Sequence, residues 1–154
     1  FRNYLDLFRA LAGGYGLSQF AFVAGTEDAE LTVFIGQAVV LLVAALIQSV
    51  RYDGRLNFFA PIFYLVGLSV GTSGPATGLF AFALVLAINP VIPTPRMFLT
   101  AYGLLLLAFG LVFGTDLPLL GVNTVLILLP PVFSLLVKRP LVIFTRKPKT
   151  ARST

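Results

Sequence analysis

The sequence contains no cysteine, no histidine and no tryptophan, and only 11% of its 154 residues are charged. Without cysteine and histidine, the chain has no means of forming disulfides, a thiol nucleophile, a Cys/His zinc site or a His-ligated haem. It also lacks the commonest general base of enzymes. These absences predict a protein that is not an enzyme and that holds neither a cofactor nor a metal.

The scarcity of charged residues also indicates whether the protein is soluble or lies in a membrane. Soluble domains average about 25% charged residues, whereas 58% of this chain is hydrophobic and the apolar residues form runs long enough for a membrane. The net charge of +5 fits basic cytoplasmic loops better than a nucleic-acid surface. We therefore expect an integral membrane protein of the plasma (cytoplasmic) membrane, with lipids as partners and no nucleic acid.

Six apolar segments predict an all-α bundle of six transmembrane helices with short loops. The segment 31–50 is the clearest, with 20 uncharged residues that span about 30 Å as a helix. The first segment begins amphipathically, so a helix lying on the membrane surface is the alternative there. The predicted transmembrane domain is 1–137 and the basic tail 138–154, with spans at about 3–24, 31–50, 56–72, 75–90, 97–113 and 117–137.

The charges predict the orientation of this bundle. If the N-terminus is inside, the inner segments hold all eleven Arg and Lys residues. The outer loops then hold only acidic charges, at Glu27, Asp28, Glu30 and Asp116. Basic residues in short loops favour the cytoplasmic side, so both termini are predicted to be cytoplasmic. In the absence of tryptophan, the expected interface residues are Tyr4, Tyr15, Tyr52, Tyr64 and Tyr102.

The middle of the chain is a predicted hairpin of short helices joined by GTSGPATG, residues 71–78. Glycine and proline turn or break helices, so this stretch is predicted to be an outer loop. The alternative is a transport site at interrupted helices, with Thr72, Ser73 and Thr77 as donors and a second break at Pro130–Pro131.

Glycines spaced four apart predict close helix–helix packing within or between proteins, with simple turn glycines as the alternative. Three such pairs occur, and the predicted packing residues are Gly67, Gly71, Gly74, Gly78, Gly110 and Gly114.

The predicted spans contain no ionisable residue deep in a segment. Gln37 and Asn123 are the deepest amides, and hydrogen bonds from such amides to other helices hold membrane bundles together. Structural cross-linking is therefore the favoured role of both side chains.

One resemblance arises at Gly74–Asn89, GPATGLFAFALVLAIN. This stretch resembles a helix of the six-helix amide and urea channel family, and the resemblance covers sixteen residues. That family has both ends outside, opposite to the orientation that the charges predict here, so no residue role is transferred.

The basic tail interleaves apolar residues with cations. Such a segment is typical of binding to anionic lipid headgroups, with positive-inside bias as an equal alternative. The predicted headgroup residues are Lys138, Arg139, Arg146, Lys147 and Lys149.

The predicted function is a non-catalytic polytopic membrane subunit that packs against other membrane proteins, further copies of itself or lipids in a larger complex. The alternative is a small channel or transporter for neutral or lipophilic solutes. A helper in lipid or polysaccharide synthesis or export is a third class.

Overall fold

The computed structural model describes residues 2–19, 27–52 and 56–141. The end of the predicted first span, residues 20–24, lies outside these described residues. Six α-helices lie in this part of the chain, namely α1 (Arg2–Gln19), α2 (Glu27–Ser49), α3 (Ile62–Ser73), α4 (Pro75–Ile88), α5 (Pro95–Val112) and α6 (Leu117–Leu136). A 3-10 turn, Asn89–Val91, follows α4.

Three of these helices are long and apolar enough to cross a membrane. They are the α2 segment Leu31–Ser49, with a mean hydropathy of 2.3, and the helices α5 and α6, at 1.6 and 2.1. Helices α3 and α4 are apolar but shorter. The predicted helical class is confirmed, as is the presence of helices compatible with membrane insertion. The number of crossings stays a prediction.

The predicted span 56–72 is helical only from Ile62, because its first residues belong to a small β-hairpin. Strand β1 (Val50–Tyr52) pairs antiparallel with β2 (Leu56–Phe58), with Val50 opposite Phe58. The Phe59 backbone amide then donates to the Ser49 carbonyl at 2.8 Å. Pro61 precedes α3 and has no amide hydrogen to extend a helix backwards.

Helix α3 lies at the centre of the bundle, where residues 65–73 are all buried. Helix α1 packs parallel to it, since Gly67 lies against the Leu7 carbonyl and Gly71 against the Leu11 carbonyl. A methyl group added at Gly71 would come within 2.5 Å of that Leu11 oxygen. Glycine is therefore required here for the two backbones to approach this closely.

Helices α5 and α6 pack antiparallel to each other. Gly110 near the end of α5 lies against Leu120 near the start of α6, whereas Gly103 lies against Ile127 and Leu128. Helix α4 packs against α5 through Phe80, whose ring centre is 6.2 Å from that of Phe109. Because consecutive helices from α3 to α6 alternate in direction, α1 begins at the same end of the bundle as α6 ends.

Helix α6 contains the two prolines that predicted a break, yet it runs unbroken from Leu117 to Leu136. Pro130 and Pro131 remove two backbone donors from the helical ladder, and both residues are buried. Proline is tolerated in such helices where protein surrounds the freed carbonyls. Packing in the bundle therefore preserves the helix through this pair.

Candidate functional site

The junction between α3 and α4 is a single residue, Gly74. Its φ of +89° and ψ of 152° suit glycine, since a side chain is strained at such a positive φ. Pro75 follows at the first turn of α4, where its fixed φ already matches a helix. The predicted outer loop at residues 71–78 is thus wrong in extent, because all of its residues except Gly74 are helical.

Five polar side chains meet beside this junction, and we call them the Gly74 cluster: Thr72, Ser73, Thr77, Thr115 and Asn123. The Asn123 amide donates to the Thr72 hydroxyl at 2.6 Å and to the Ser73 hydroxyl at 2.7 Å. The hydroxyls of Thr77 and Thr115 lie 2.7 Å apart. The cluster therefore links the end of α3, the start of α4, the α5–α6 connection and α6.

The hydrogen bonds of the Gly74 cluster run between its own side chains and to backbone carbonyls of α3. Thr72 donates to the Leu68 carbonyl at 2.8 Å, so it accepts from Asn123, which uses both of its amide protons within the cluster. Thr115 donates to the Ser73 carbonyl at 3.4 Å, which makes Thr77 the donor to Thr115. Among the described residues, no buried side-chain nitrogen or oxygen is without a partner.

A second buried pair lies deeper in the bundle. The hydroxyls of Ser69 and Tyr102 are 2.5 Å apart. Ser69 donates to the Val66 carbonyl, so Tyr102 is the donor between the two hydroxyls. Tyr102 has no exposed surface, and the prediction that it marks the membrane interface is therefore wrong. Ser69 precedes Thr72 by three residues on one face of α3, a spacing visible in the sequence.

The second predicted amide, Gln37, also makes an interhelical hydrogen bond. Its side chain is 5% exposed and donates to the Leu17 carbonyl of α1 at 2.5 Å. The structure does not bring Gln37 and Asn123 together, since each amide bonds to a different neighbouring helix. Gln37 joins the peripheral helix α2 to α1.

The six predicted packing glycines have different surroundings. Gly67 and Gly71 contact α1, Gly78 lies against the Val70 backbone, and Gly110 lies against Leu120. Gly74 and Gly114 have positive φ, and a methyl group added at either would meet no atom within 4 Å. Both of these glycines lie in turns. In the pairs Gly74–Gly78 and Gly110–Gly114, therefore, one glycine packs against another part of the bundle and the other forms a turn.

The opposite end of the bundle carries basic residues. Arg96 at the start of α5 donates to the Ser134 hydroxyl at 2.9 Å, and Ser134 donates to the Arg139 carbonyl at 2.5 Å. Lys138 and Arg139 are exposed. The other predicted headgroup residues, Arg146, Lys147 and Lys149, lie outside the described residues. The sequence does not predict the hydrogen bond between Arg96 and Ser134, because the two residues are far apart along the chain and only folding brings them together.

The described residues include no group of three or more His, Asp or Glu side chains placed to hold a metal. The side chains of Glu27, Asp28 and Glu30 are not among those described. The Gly74 cluster itself offers only uncharged hydrogen-bond donors and acceptors.

No family model, curated protein or solved structure matches this chain.

Proposed function

We propose that this chain is a non-catalytic polytopic membrane subunit, which packs against other membrane proteins or lipids in a larger complex. The observation that carries the proposal is that buried polar side chains bond one another, both in the Ser69–Tyr102 pair and in the Gly74 cluster. Polar groups that bond one another stabilise the bundle, and the Asn123 amide and the Thr72 and Tyr102 hydroxyls all donate within the protein. Interaction then falls to the outer surface.

The outer surface of α2 supports the proposal. Only 17% of an 18-residue apolar stretch of this helix is buried within the chain, and most of its exposed side chains are large and apolar. They include Leu31, Ile35, Val39, Val43 and Ile47. Lipid or another membrane protein covers such a surface in a bilayer.

The proposal includes six crossings, both termini in the cytoplasm and location in the plasma membrane. The parallel packing of α1 on α3 supports a crossing by α1, because a helix on the membrane surface would lie across the bundle instead. The basic end at Arg96, Lys138 and Arg139 supports a cytoplasmic position for that end.

The test is purification from the native membrane in a gentle detergent, followed by mass spectrometry of the proteins that accompany the chain. We expect at least one membrane protein in stoichiometric amount. A stable isolated monomer that transports a solute would overturn the proposal.

A channel or transporter for neutral solutes is the second candidate. A series of polar side chains that lie near one another in the bundle favours this candidate. They are Ser69, Thr72 and Ser73 of α3, Thr115 of the α5–α6 connection and Asn123 of α6. The hydrogen bonds between these side chains weigh against it, since a permeating solute would have to replace them. Liposomes containing the purified chain distinguish the two: the subunit proposal predicts no flux of urea, amides or glycerol above empty liposomes.

A further inference from the structure

The basic end of the bundle brings cations from two helices to one position. The Ser134 hydroxyl, which has no exposed surface, accepts from the Arg96 guanidinium at 2.9 Å. The same hydroxyl donates to the Arg139 carbonyl at 2.5 Å, so one buried group joins the start of α5 to the turn that follows α6. We call Arg96, Ser134, Lys138 and Arg139 the α5–α6 basic site.

Lys138 ends α6 in a backbone conformation that is rare for a residue with a side chain. Its φ is +53°, and no other non-glycine residue among those described has a positive φ. The Lys138 amide donates to the Leu135 carbonyl and the Arg139 amide to the Ser134 carbonyl, both at 3.1 Å, in a turn that glycine usually makes. A lysine therefore stands where glycine would be less strained, and strained positions of this kind concentrate at ligand-binding and active sites.

The surface around the α5–α6 basic site has the polarity of a phospholipid. Lys138 and Arg139 are exposed just beyond the last residue of α6. Within the two helices, the apolar side chains of Met97, Leu135 and Leu136 are exposed as well. Basic sites between transmembrane helices on the cytoplasmic side suit lipid headgroups, and the exposed apolar side chains suit acyl chains.

We propose that the α5–α6 basic site binds the phosphate of an anionic phospholipid, whose acyl chains lie along the exposed apolar side chains of α5 and α6. Arg96 and Lys138 bind the phosphate oxygens, and Ser134 orients the Arg96 guanidinium. An oriented guanidinium favours phosphate in one geometry, which distinguishes a fixed site from a diffuse layer of lipid. This inference rests on the proposed function and its cytoplasmic orientation, and it adds the class of lipid and the residues that bind it.

The chain has too few acidic residues to neutralise this end of the bundle. The segments that the proposed orientation places on the cytoplasmic side carry eleven basic residues and only two acidic ones, Asp6 and Asp53. Even with both acids paired there, most of the cations remain for external anions. The sequence predicts Lys138 and Arg139 as headgroup residues, and the structure adds Arg96 together with the buried hydroxyl that orients it.

The experiment measures lipid binding to the purified full chain by native mass spectrometry. Dioleoylphosphatidylglycerol and dioleoylphosphatidylcholine are added separately in detergent micelles, so that the two lipids differ only in their headgroup. We expect one phosphatidylglycerol molecule per chain to bind about tenfold more tightly than phosphatidylcholine. Inorganic phosphate at the same concentration should not displace it, because free phosphate lacks the acyl chains.

Three variants separate a fixed site from diffuse attraction. Lys138→Gly removes a cation and relieves the positive φ, so it should weaken phosphatidylglycerol binding about fivefold without unfolding the bundle. Ser134→Ala keeps the charge but releases the Arg96 guanidinium, so it should weaken binding about threefold. Arg9→Gln is the matched control, because it removes an exposed cation of α1 and should change the affinity by less than about twofold. Far-UV circular dichroism checks that each variant is folded.

The remaining outcomes overturn the site or the proposed function separately. Equal affinity for the two lipids, equal losses in Lys138→Gly and Arg9→Gln, unchanged binding in Ser134→Ala, or displacement by inorganic phosphate would each contradict the site. Co-purification with another membrane protein is measured independently. If a partner co-purifies but the lipid preference is absent, only this inference fails. If the preference holds and the chain purifies alone, only the subunit function fails.

Discussion

Asn123 shows how one polar residue connects several elements. It lies six residues into α6, is 1% exposed, and donates to two adjacent hydroxyls at the last turn of α3. The carbonyls at a helix C-terminus carry partial negative charge, so an amide donor is favourable beside them. The sequence indicates that Asn123 is deep in its segment, but only the packing of α3 against α6 identifies its acceptors.

We predict that Asn123→Ala lowers the free energy of unfolding by about 1 kcal/mol, since interhelical hydrogen bonds in membrane proteins contribute about 0.6–2 kcal/mol. The measurement is SDS-induced unfolding in mixed micelles, followed by far-UV circular dichroism. The control is Asn89→Ala, because Asn89 is exposed and surface substitutions stay within about 0.5 kcal/mol. Equal losses in the two variants would contradict the role given to Asn123.

At the scale of elements, the helices α2, α5 and α6 follow from their apolar runs, whereas the central hairpin does not follow from local preference. Thr72 lies in a stretch rich in turn formers, yet it belongs to α3, and its hydroxyl donates to the Leu68 carbonyl one turn earlier. Burial decides this outcome, because a hydroxyl within a bundle must find a partner. Pro130 and Pro131 illustrate the same limit, since packing maintains the helix despite the lost backbone donors.

The Gly74 cluster could be predicted only in part for the same reason. Thr72, Ser73 and Thr77 stand out in the sequence as donors near a helix break, and Asn123 stands out as a deep amide. Their meeting depends on the antiparallel order of α3 and α6, which no local pattern encodes. Thr115 gives no sequence signal at all, because it is an ordinary residue of a short turn.

The contact between α1 and α3 gives a prediction at the level of elements. Gly71→Ala places a methyl group 2.5 Å from the Leu11 oxygen and 2.8 Å from the Tyr15 nitrogen. These are backbone atoms, so the helices must separate, and overpacking of this kind costs about 1–3 kcal/mol. We expect a loss of that size in the same unfolding assay.

Gly36→Ala is the matched control for this substitution. Gly36 lies within α2 and has no atom within 4 Å of an added methyl group. Alanine is the better helix former by up to about 1 kcal/mol, so Gly36→Ala should leave stability unchanged or raise it. If Gly71→Ala behaved in the same way, the close approach of α1 to α3 would be wrong.

At the scale of the whole molecule, the direction of the helices and the position of the charges agree. Helix α1 begins at the end of the bundle where α6 finishes, and Arg96, Lys138 and Arg139 gather at that end. Asp116 lies at the other end, where it accepts from the Leu119 amide at 3.4 Å and caps α6. Short basic loops favour the cytoplasm, so the end with these basic residues is expected to be cytoplasmic. Labelling at the two ends of α4 tests this orientation.

The absence of cysteine from the sequence makes this test clean, because a single introduced thiol is the only one present. Pro75 is exposed at the start of α4, and Val91 is 84% exposed just beyond its end. We expect a membrane-impermeant maleimide to label Pro75→Cys on intact cells, and Val91→Cys only after the membrane is opened. The reverse pattern would invert the bundle, and labelling of both thiols from one side would show that α4 does not cross.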